Sequence, residues 1–270
     1  MVRMGVGKNM VRSLRFWVHA TGIARANGDG NCVVTDFGRA IFSDRGHDPF
    51  LEDVRTLWLL HWQLCSHTTE PLFAWDYMFN RWQHPEISRA SVLPVFSREA
   101  ERMGRSLSAV TLEQHFDVFL HTYVPTKTKK GNIQEDNLDC PLVELDLIQR
   151  TGERRIDSSG RRESLYAFRR DNKPDVTPEL LIYCIDDFWR KRRVNEGTLT
   201  FRDIAIAHGS PGQIFKLSES AIRERLETIE SDSKRAFVYR ESAVLQQLSR
   251  GTTSLLNPLD LIYRRENIHG

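Results

Sequence analysis

The stretch KNMVRSLRFWVHATGIARANGDGNCVVTDFGRAIF, residues 8–42, decides the fold prediction. Over residues 8–20 the apolar side chains recur at helical spacing, which predicts a helix with Leu14 and Trp17 buried. Residues 26–31, Ala-Asn-Gly-Asp-Gly-Asn, have turn chemistry and precede a short β-prone run, so they predict a hairpin. Thr35 is expected to cap the next helix, because its hydroxyl can accept hydrogen bonds from the free amides that follow. Helix, hairpin and helix in this order are typical of part of a winged helix-turn-helix.

The whole chain is predicted to be mainly α, in an α+β fold of three parts. Residues 1–66 form a winged-helix-like DNA-binding unit, which an amphipathic helix over 51–65 closes. Residues 67–137 form a helical middle that ends in a polar, lysine-bearing loop. Residues 138–270 form a mixed part of helices and hairpins. Because helix, hairpin and helix recur in that last part, a second winged-helix-like unit is an alternative there.

Local signals place several elements of the later parts. Hydroxyl side chains stand where three helices of the middle part are expected to begin: Thr68 or Thr69, Ser88 and Ser108. Asp157-Ser158-Ser159-Gly160 lies between two β-prone runs and predicts a hairpin. A helix is predicted over 178–193, and a short strand over 213–217.

The composition is that of an ordinary globular protein. Of 270 residues, 40% are hydrophobic and 27% are charged, which supports a folded core and argues against disorder of the whole chain. No apolar run is long enough for a membrane helix, and the four cysteines contain no Cys-x-x-Cys pair. We therefore expect a cytoplasmic protein without a membrane partner, a disulfide scaffold or a zinc finger.

Charge is unevenly distributed, although 38 basic and 36 acidic side chains leave a net charge of only +2. Lys8, Arg12 and Arg15 share one face of the first predicted helix, Asn9 lies beside them, and residues 1–25 contain no acid. Such a face can offer cations to a DNA groove or a row of phosphates, so these four residues are predicted to bind DNA. An ordinary solvated helix face is the alternative.

A second basic cluster lies on the arms of the predicted hairpin. It consists of Arg154, Arg155, Arg161 and Arg162. Arginine is the better bidentate ligand of phosphate, so these residues are candidates for contact with a nucleic-acid backbone. Acids dilute the cluster, and a solvated surface is again the alternative.

The run Gly5-Val6-Gly7-Lys8-Asn9 superficially resembles a phosphate-binding loop. It lacks the upstream glycine at the required spacing, has Asn9 where a hydroxyl should hold magnesium, and follows no strand. No nucleotide cofactor is expected.

Carboxylates crowd the end of the polar loop and the short helix predicted after it. Asp136, Asp139 and Glu144 are candidate ligands of Mg²⁺ or Mn²⁺ for phosphodiester cleavage, because oxygen ligands suit both ions. Asp136 and Asp139 are the first choice as metal ligands. The alternative is that these acids cap a helix or interact with its dipole.

A reserve catalytic set lies further along the chain. Asp157, followed by Asp171 and Lys173, has the residue types of a restriction-nuclease core, namely one carboxylate and then an acid-x-lysine pair after a strand. The pattern is short and common, so it ranks behind the first set.

Several longer segments resemble a known family. They are GVGKNMVRSLRFWVHATGI, TDFGRAIF, HDPFLEDVRTLWLLHWQL, EDNLDCPLVELDLI, DVTPELLIYCIDDFW and GSPGQIFKL, and together they cover most of the chain. The chain is similar here to a bacterial domain family of unknown function that is associated with DNA phosphorothioation and phage defence. One subgroup of it resembles the SspB-type DNA nicking component of the single-stranded phosphorothioation system. Members usually carry a further segment before the Gly-Val-Gly-Lys motif, so this sequence is expected to be either a truncated piece or a shortened member of the family.

The resemblance implies a DNA-acting partner of a cysteine desulfurase, an ATPase and a sulfotransferase-like enzyme. It also implies nicking of one DNA strand, with a divalent metal, so that sulfur can be incorporated. The residues themselves support DNA binding, whereas only the resemblance supports cutting. A non-catalytic winged-helix scaffold that recruits the modification enzymes is therefore the alternative function.

Overall fold

Helix α3 (Val54–Ser66) is the centre of the fold. Its side chains are apolar on nearly every face, a pattern that requires burial on all sides, and most of its residues are buried. The carboxylate of Asp53 caps it by accepting from the amide of Arg55 at 2.9 Å. Helices from all parts of the chain pack around α3: α4 (Phe73–Asn80), α7 (Pro178–Arg192), α9 (Pro211–Phe215) and the 3-10 helix Pro141–Leu145.

The computed structural model describes residues 7–29, 31–125, 140–156, 160–242 and 244–263. The remaining helices are α1 (Lys8–Ala20), α2 (Asp36–Phe42), α5 (Arg89–Arg102), α6 (Ala109–Tyr123), α8 (Phe201–Ala205), α10 (Glu219–Glu227), α11 (Ile229–Asp232) and α12 (Pro258–Ile262). The strands are β1 (Ala24–Ala26), β2 (Cys32–Val34), β3 (Ile148–Arg155), β4 (Arg162–Phe168), β5 (Thr198–Thr200), β6 (Phe237–Glu241) and β7 (Gln246–Arg250). The fold is α+β, as predicted, and none of the helices described could cross a membrane.

The N-terminal elements follow the predicted order of helix, hairpin and helix. Strands β1 and β2 pair antiparallel, from Ala24 opposite Val34 to Ala26 opposite Cys32. Thr35 caps α2, because its hydroxyl accepts from the amide of Gly38 at 2.9 Å. A side chain at position 38 would collide with the backbone of the preceding segment, since a Cβ atom there would lie 2.2 Å from the carbonyl oxygen of Ile23.

Helix α1 has the predicted bounds, but the prediction that Leu14 is buried is wrong. Leu14 is 45% exposed, whereas Ala20 is buried and Trp17 is half-buried against Trp75. The reason is that α1 docks only through its last turn. The apolar side chains of its first half therefore find no partner in the described part of the chain.

Two of the three predicted caps in the middle part are confirmed. Ser88 and Ser108 accept from the amides of the third residues of α5 and α6, at 3.2 Å in both cases. The prediction of a cap at Thr68 or Thr69 is wrong, since α4 begins at Phe73. Proline disfavours the helical conformation in the residue before it, so the helix starts only after Pro71.

The last part contains the predicted hairpin and one wrong prediction. Strands β3 and β4 pair antiparallel, with a bulge between Arg150 and Gly152. Residues 213–217 do not form the predicted strand, because most of them belong to helix α9. The hydroxyl of Ser210 caps α9, a proline fills its first turn, and Lys216 ends it in the left-handed conformation at φ 52°.

One buried hydrophobic cluster runs through all three predicted parts, from Ala20 to Ile262. Strands β5, β7 and β6 form an antiparallel sheet in that order and contribute Leu199, Leu248 and Phe237 to this core. The division into three domains stays a prediction.

Candidate nucleic-acid interface

The basic face of α1 projects from the body of the protein. Lys8, Arg12 and Arg15 are exposed, and within the described residues their side chains make neither ion pairs nor hydrogen bonds. Asn9 is also exposed. The helix has no acidic residue in its first turn. Helix α1 therefore offers three uncompensated cations on a rigid element.

Two contacts hold this projecting helix at its C-terminal end. His67 Nε2 lies 2.7 Å from the carbonyl oxygen of Ala20, and His19 Nε2 lies 3.1 Å from Cys32 Sγ on β2. The second contact joins the helix to the hairpin. Arg25, on the neighbouring strand β1, is exposed and has no ion pair in the part of the chain that is described. The basic surface thus continues from α1 onto the hairpin.

The second predicted cluster, on the β3–β4 hairpin, divides into an engaged and an exposed part. Arg154 forms an ion pair with Glu163 at 2.8 Å and donates to the hydroxyl of Ser88 at 3.2 Å, so it fixes the hairpin against α5. Burial alone would raise the pKa of Glu163, but its hydrogen bonds with Arg154 and with the amide of Ala90 lower it.

The other arginines of the hairpin face outwards. Arg162 is 66% exposed and reaches Glu153 only at 3.6 Å. Arg155 is exposed and unpaired within the residues described, and Arg161 is exposed and lines a groove beside α5 and α6. Arg155, Arg161 and Arg162 therefore stay candidates for phosphate contact, whereas Arg154 acts mainly within the fold.

The basic run at the end of α7 is engaged within the fold. Arg190 pairs with Asp186 at 2.9 Å, and Lys191 pairs with Asp187 at 2.7 Å. Asp187 also accepts from the indole of Trp62 at 2.8 Å, which ties α7 to α3. Buried carboxylates thus compensate these cations, and the run does not extend the candidate interface.

Of the first predicted metal set, Glu144 alone lies within the described residues. Asp136 and Asp139 lie outside them, as does Asp157 of the reserve set. Glu144 is exposed on the 3-10 helix and has no ion pair in the described ranges. No three His, Cys, Asp or Glu side chains of the described residues converge to hold a metal ion.

The structure brings together two members of the reserve set, Asp171 and Lys173. The ammonium group of Lys173 is buried, pairs with Asp171 and donates to the carbonyl of Arg169 at 2.9 Å. Burial lowers the pKa of Lys173. Burial would raise the pKa of Asp171, but hydrogen bonds from Lys173 and Arg169 outweigh it and lower that pKa. A carboxylate held by two cations is a poor ligand for a third.

A buried polar network surrounds His61, and sequence reasoning missed it. The ring of His61 lies 2.7 Å from the hydroxyl of Tyr123 through Nδ1 and 3.0 Å from the carbonyl of Ile214 through Nε2. The indole of Trp75 donates to the same hydroxyl at 2.9 Å. Burial lowers the pKa of His61 to about 3, so the ring is neutral at pH 7. Because Nε2 must donate to the carbonyl, Nδ1 accepts from the tyrosine.

Lys216 is a second buried group that the sequence did not reveal. Its ammonium group donates to the carbonyl of Phe79 and lies 4.5 Å from the centre of the Phe168 ring. Burial lowers its pKa well below the ordinary value. The motif GSPGQIFKL carries this lysine at the end of α9, where its left-handed backbone turns the chain back into the core. Both groups are buried within the fold and do not face a groove.

Comparison with known proteins gives one family and one fold. The family model "Protein of unknown function (DUF4007)" matches residues 1–264. The crystal structure of magnesium ion-bound SspB has a TM-score of 0.79 and 26% sequence identity, over 97% of this chain and 75% of the SspB chain. A second SspB crystal structure has a TM-score of 0.77 at 24% identity with the same coverage.

No curated protein matches the sequence significantly. The segments that resemble a bacterial family of unknown function all lie within the matched residues, and the similarity to SspB extends over the same helices and hairpins. The chain belongs to the DUF4007 family of proteins of unknown function.

Proposed function

We propose that this protein is the DNA-binding component of a bacterial DNA phosphorothioation system that acts in phage defence. The observation that carries the proposal is the basic face of α1, where three cations project without compensating acids among the described residues. The similarity to SspB supports the link to phosphorothioation. The proposed partners are DNA, a cysteine desulfurase, an ATPase and a sulfotransferase-like enzyme, and the proposed location is the cytoplasm.

Binding follows from the chemistry of the phosphate backbone. Lys8, Arg12 and Arg15 displace the condensed counterions of DNA and supply affinity that does not depend on sequence. Asn9, beside them, is the side chain of this face that can pair with a base edge. The exposed arginines of the β3–β4 hairpin form the second contact with the backbone.

A more specific proposal is that the protein nicks one strand of the DNA that it binds. The magnesium ion bound to SspB favours this activity. A divalent ion would neutralise the scissile phosphate and activate water. Asp136, Asp139 and Glu144 are the proposed ligands, with Asp157, Asp171 and Lys173 in reserve. The described residues contain no cluster of three ligands for such an ion.

An assay with supercoiled plasmid distinguishes a nicking component from a non-catalytic scaffold. The purified protein is incubated with plasmid in Mg²⁺ or Mn²⁺, with a chelator as control, and binding is measured on the same DNA. Conversion to nicked circles that requires the metal supports the nicking component. Binding without nicking supports the alternative, a non-catalytic scaffold that recruits the modification enzymes. Absence of binding contradicts the proposal.

A further inference from the structure

A groove of about 570 Å³ lies between the β3–β4 hairpin and helices α5 and α6. Its volume is within the range of sites that hold a small organic group. Its apolar wall consists of side chains from three elements: Leu93, Pro94, Phe116, Leu120 and Tyr166. Phe116 is only 2% exposed, so Tyr166 is the ring that the groove presents at the surface, together with aliphatic groups, beside the arginine-rich hairpin.

Tyr166 is held firmly in this wall. Its backbone exchanges two hydrogen bonds with that of Ile87, at 2.7 and 2.9 Å, which joins the hairpin to the segment before α5. The ring is half-buried, and its hydroxyl makes no hydrogen bond within the described part of the chain. The residue thus combines a fixed aromatic surface with an unused polar group.

The wall of the groove formed by β4 is basic. Arg161 and Arg162 line it, and the second of these is mostly exposed. Glu163 also lines it, but Arg154 and the amide of Ala90 already engage its carboxylate, at 2.8 and 3.1 Å. An anion at the mouth of the groove therefore meets arginine, and the one acid in the wall is compensated.

We propose that this groove binds one unpaired base of a DNA strand whose phosphates lie on the hairpin arginines. The inference rests on the proposed DNA-binding function and adds a site for a single base. A nucleotide has a flat apolar ring beside an anionic phosphate, and the groove has the half-buried ring of Tyr166 beside arginine. Stacking on protein rings with phosphate contact to basic side chains is the general mode of binding unpaired nucleotides. An apolar peptide would supply no anion for the basic edge of the groove.

The test compares two short duplexes of the same sequence, one fully paired and one with a single bulged 2-aminopurine. We expect the full chain to bind the bulged duplex about tenfold more tightly, an effect that stacking of one base supplies. The fluorescence of the 2-aminopurine should change on binding.

Two variants locate the base. Tyr166→Leu removes the ring, and Pro94→Trp fills the groove from an exposed position. Both should remove the preference for the bulge and leave affinity for the paired duplex unchanged. Val110→Trp is the matched control, since Val110 is exposed on α6 and does not line the groove. It should keep the preference.

The outcomes separate this inference from the function on which it rests. Binding of paired duplex without preference for the bulge overturns the base site and leaves the DNA-binding proposal standing. A preference that both groove variants retain also overturns the site, because the base then binds elsewhere. Absence of binding to either duplex overturns both proposals.

Discussion

Reversing the charge of Lys8, Arg12 and Arg15 to glutamate should weaken binding to duplex DNA regardless of sequence. The three side chains are exposed and unpaired within the described residues, so each is available for one phosphate. Helix α1 is held by Trp17 and Ala20, which the substitutions leave in place. The change therefore removes charge from the surface without disturbing the packing of the helix.

The size of the effect follows from counterion release. Each phosphate contact on duplex DNA contributes about 0.9 to the slope of log affinity against log salt concentration. Loss of all three contacts should therefore make that slope shallower by up to about 2.7. At low salt the triple variant should bind more than about tenfold less tightly, because the new carboxylates also repel the backbone.

Fluorescence anisotropy with a labelled duplex at several salt concentrations measures both quantities. A matched control carries the same charge change at three other exposed arginines that have no ion pair in the described ranges: Arg105, Arg202 and Arg240. Thermal unfolding of all three proteins checks that they are folded. The control should lose far less affinity than the α1 variant, and its salt slope should stay close to that of the wild type.

Two results would contradict the prediction that the basic face of α1 binds DNA. Equal losses in the α1 variant and the control would show that net charge, and not this face, governs affinity. Unchanged affinity and slope in the folded α1 variant would place the DNA surface elsewhere, with Arg155 and Arg162 of the β3–β4 hairpin to be reversed next.

Three further predictions concern catalysis and stability. Asp136→Asn with Asp139→Asn should abolish Mn²⁺-dependent nicking of plasmid while DNA affinity stays within a few-fold, and full nicking by the folded variant would contradict the assignment. The folded pKa of Lys216 is lowered, so the unfolded chain binds more protons between that pKa and 10.5, and stability should rise with pH in this window. The difference in free energy of unfolding between wild type and Lys216→Met should then change by up to about 1.4 kcal/mol per pH unit, whereas a constant difference would contradict it. The pKa of His61 is also lowered, from 6.5 to about 3, so the unfolded chain takes up the proton first as the pH falls and stability is lost. In urea denaturation, the difference in free energy of unfolding between wild type and His61→Leu should fall by about 1.7 kcal/mol as the pH is lowered from 6.5 to 5.

Elements with local signals were predictable from the sequence. Periodicity gave the bounds of α1, and hydroxyl caps gave the starts of α2, α5 and α6, because each signal acts within a few residues of the helix end. The hairpin β3–β4 was likewise marked by its turn. Such features depend on the chain segment itself and not on what packs against it.

Elements that depend on distant partners were not predictable. Strand β5 has three residues and pairs with β7 far along the chain, so no short pattern reveals it. Periodicity placed Leu14 on an apolar face, but it cannot tell whether another element covers that face. The apolar run after Ser210 resembles a strand in composition, although a cap and a proline at the first helical position both favour the helix that forms.

The candidate interface was predictable only in outline, because the sequence shows which residues are charged but not which of them form ion pairs in the fold. Arg154 and Arg162 look alike in the sequence, yet cross-strand pairing gives the first a close carboxylate and leaves the second mostly exposed. The candidate metal site was even less predictable from the sequence. A metal ion needs several carboxylates that converge in space, and the spacing of acids along a loop does not specify such convergence.

The contrast between α1 and α7 shows how the proposed DNA-binding surface is compatible with a net charge of +2. On α7, buried Asp186 and Asp187 hold the cations that follow them, so these charges stabilise the fold and have few counterions to exchange. On α1, solvent and counterions alone compensate the cations of the described structure. Only the second kind of charge gains entropy when DNA replaces its counterions. The arrangement of ion pairs, and not the total charge, is therefore the reason why we propose α1, and not α7, as the surface for DNA.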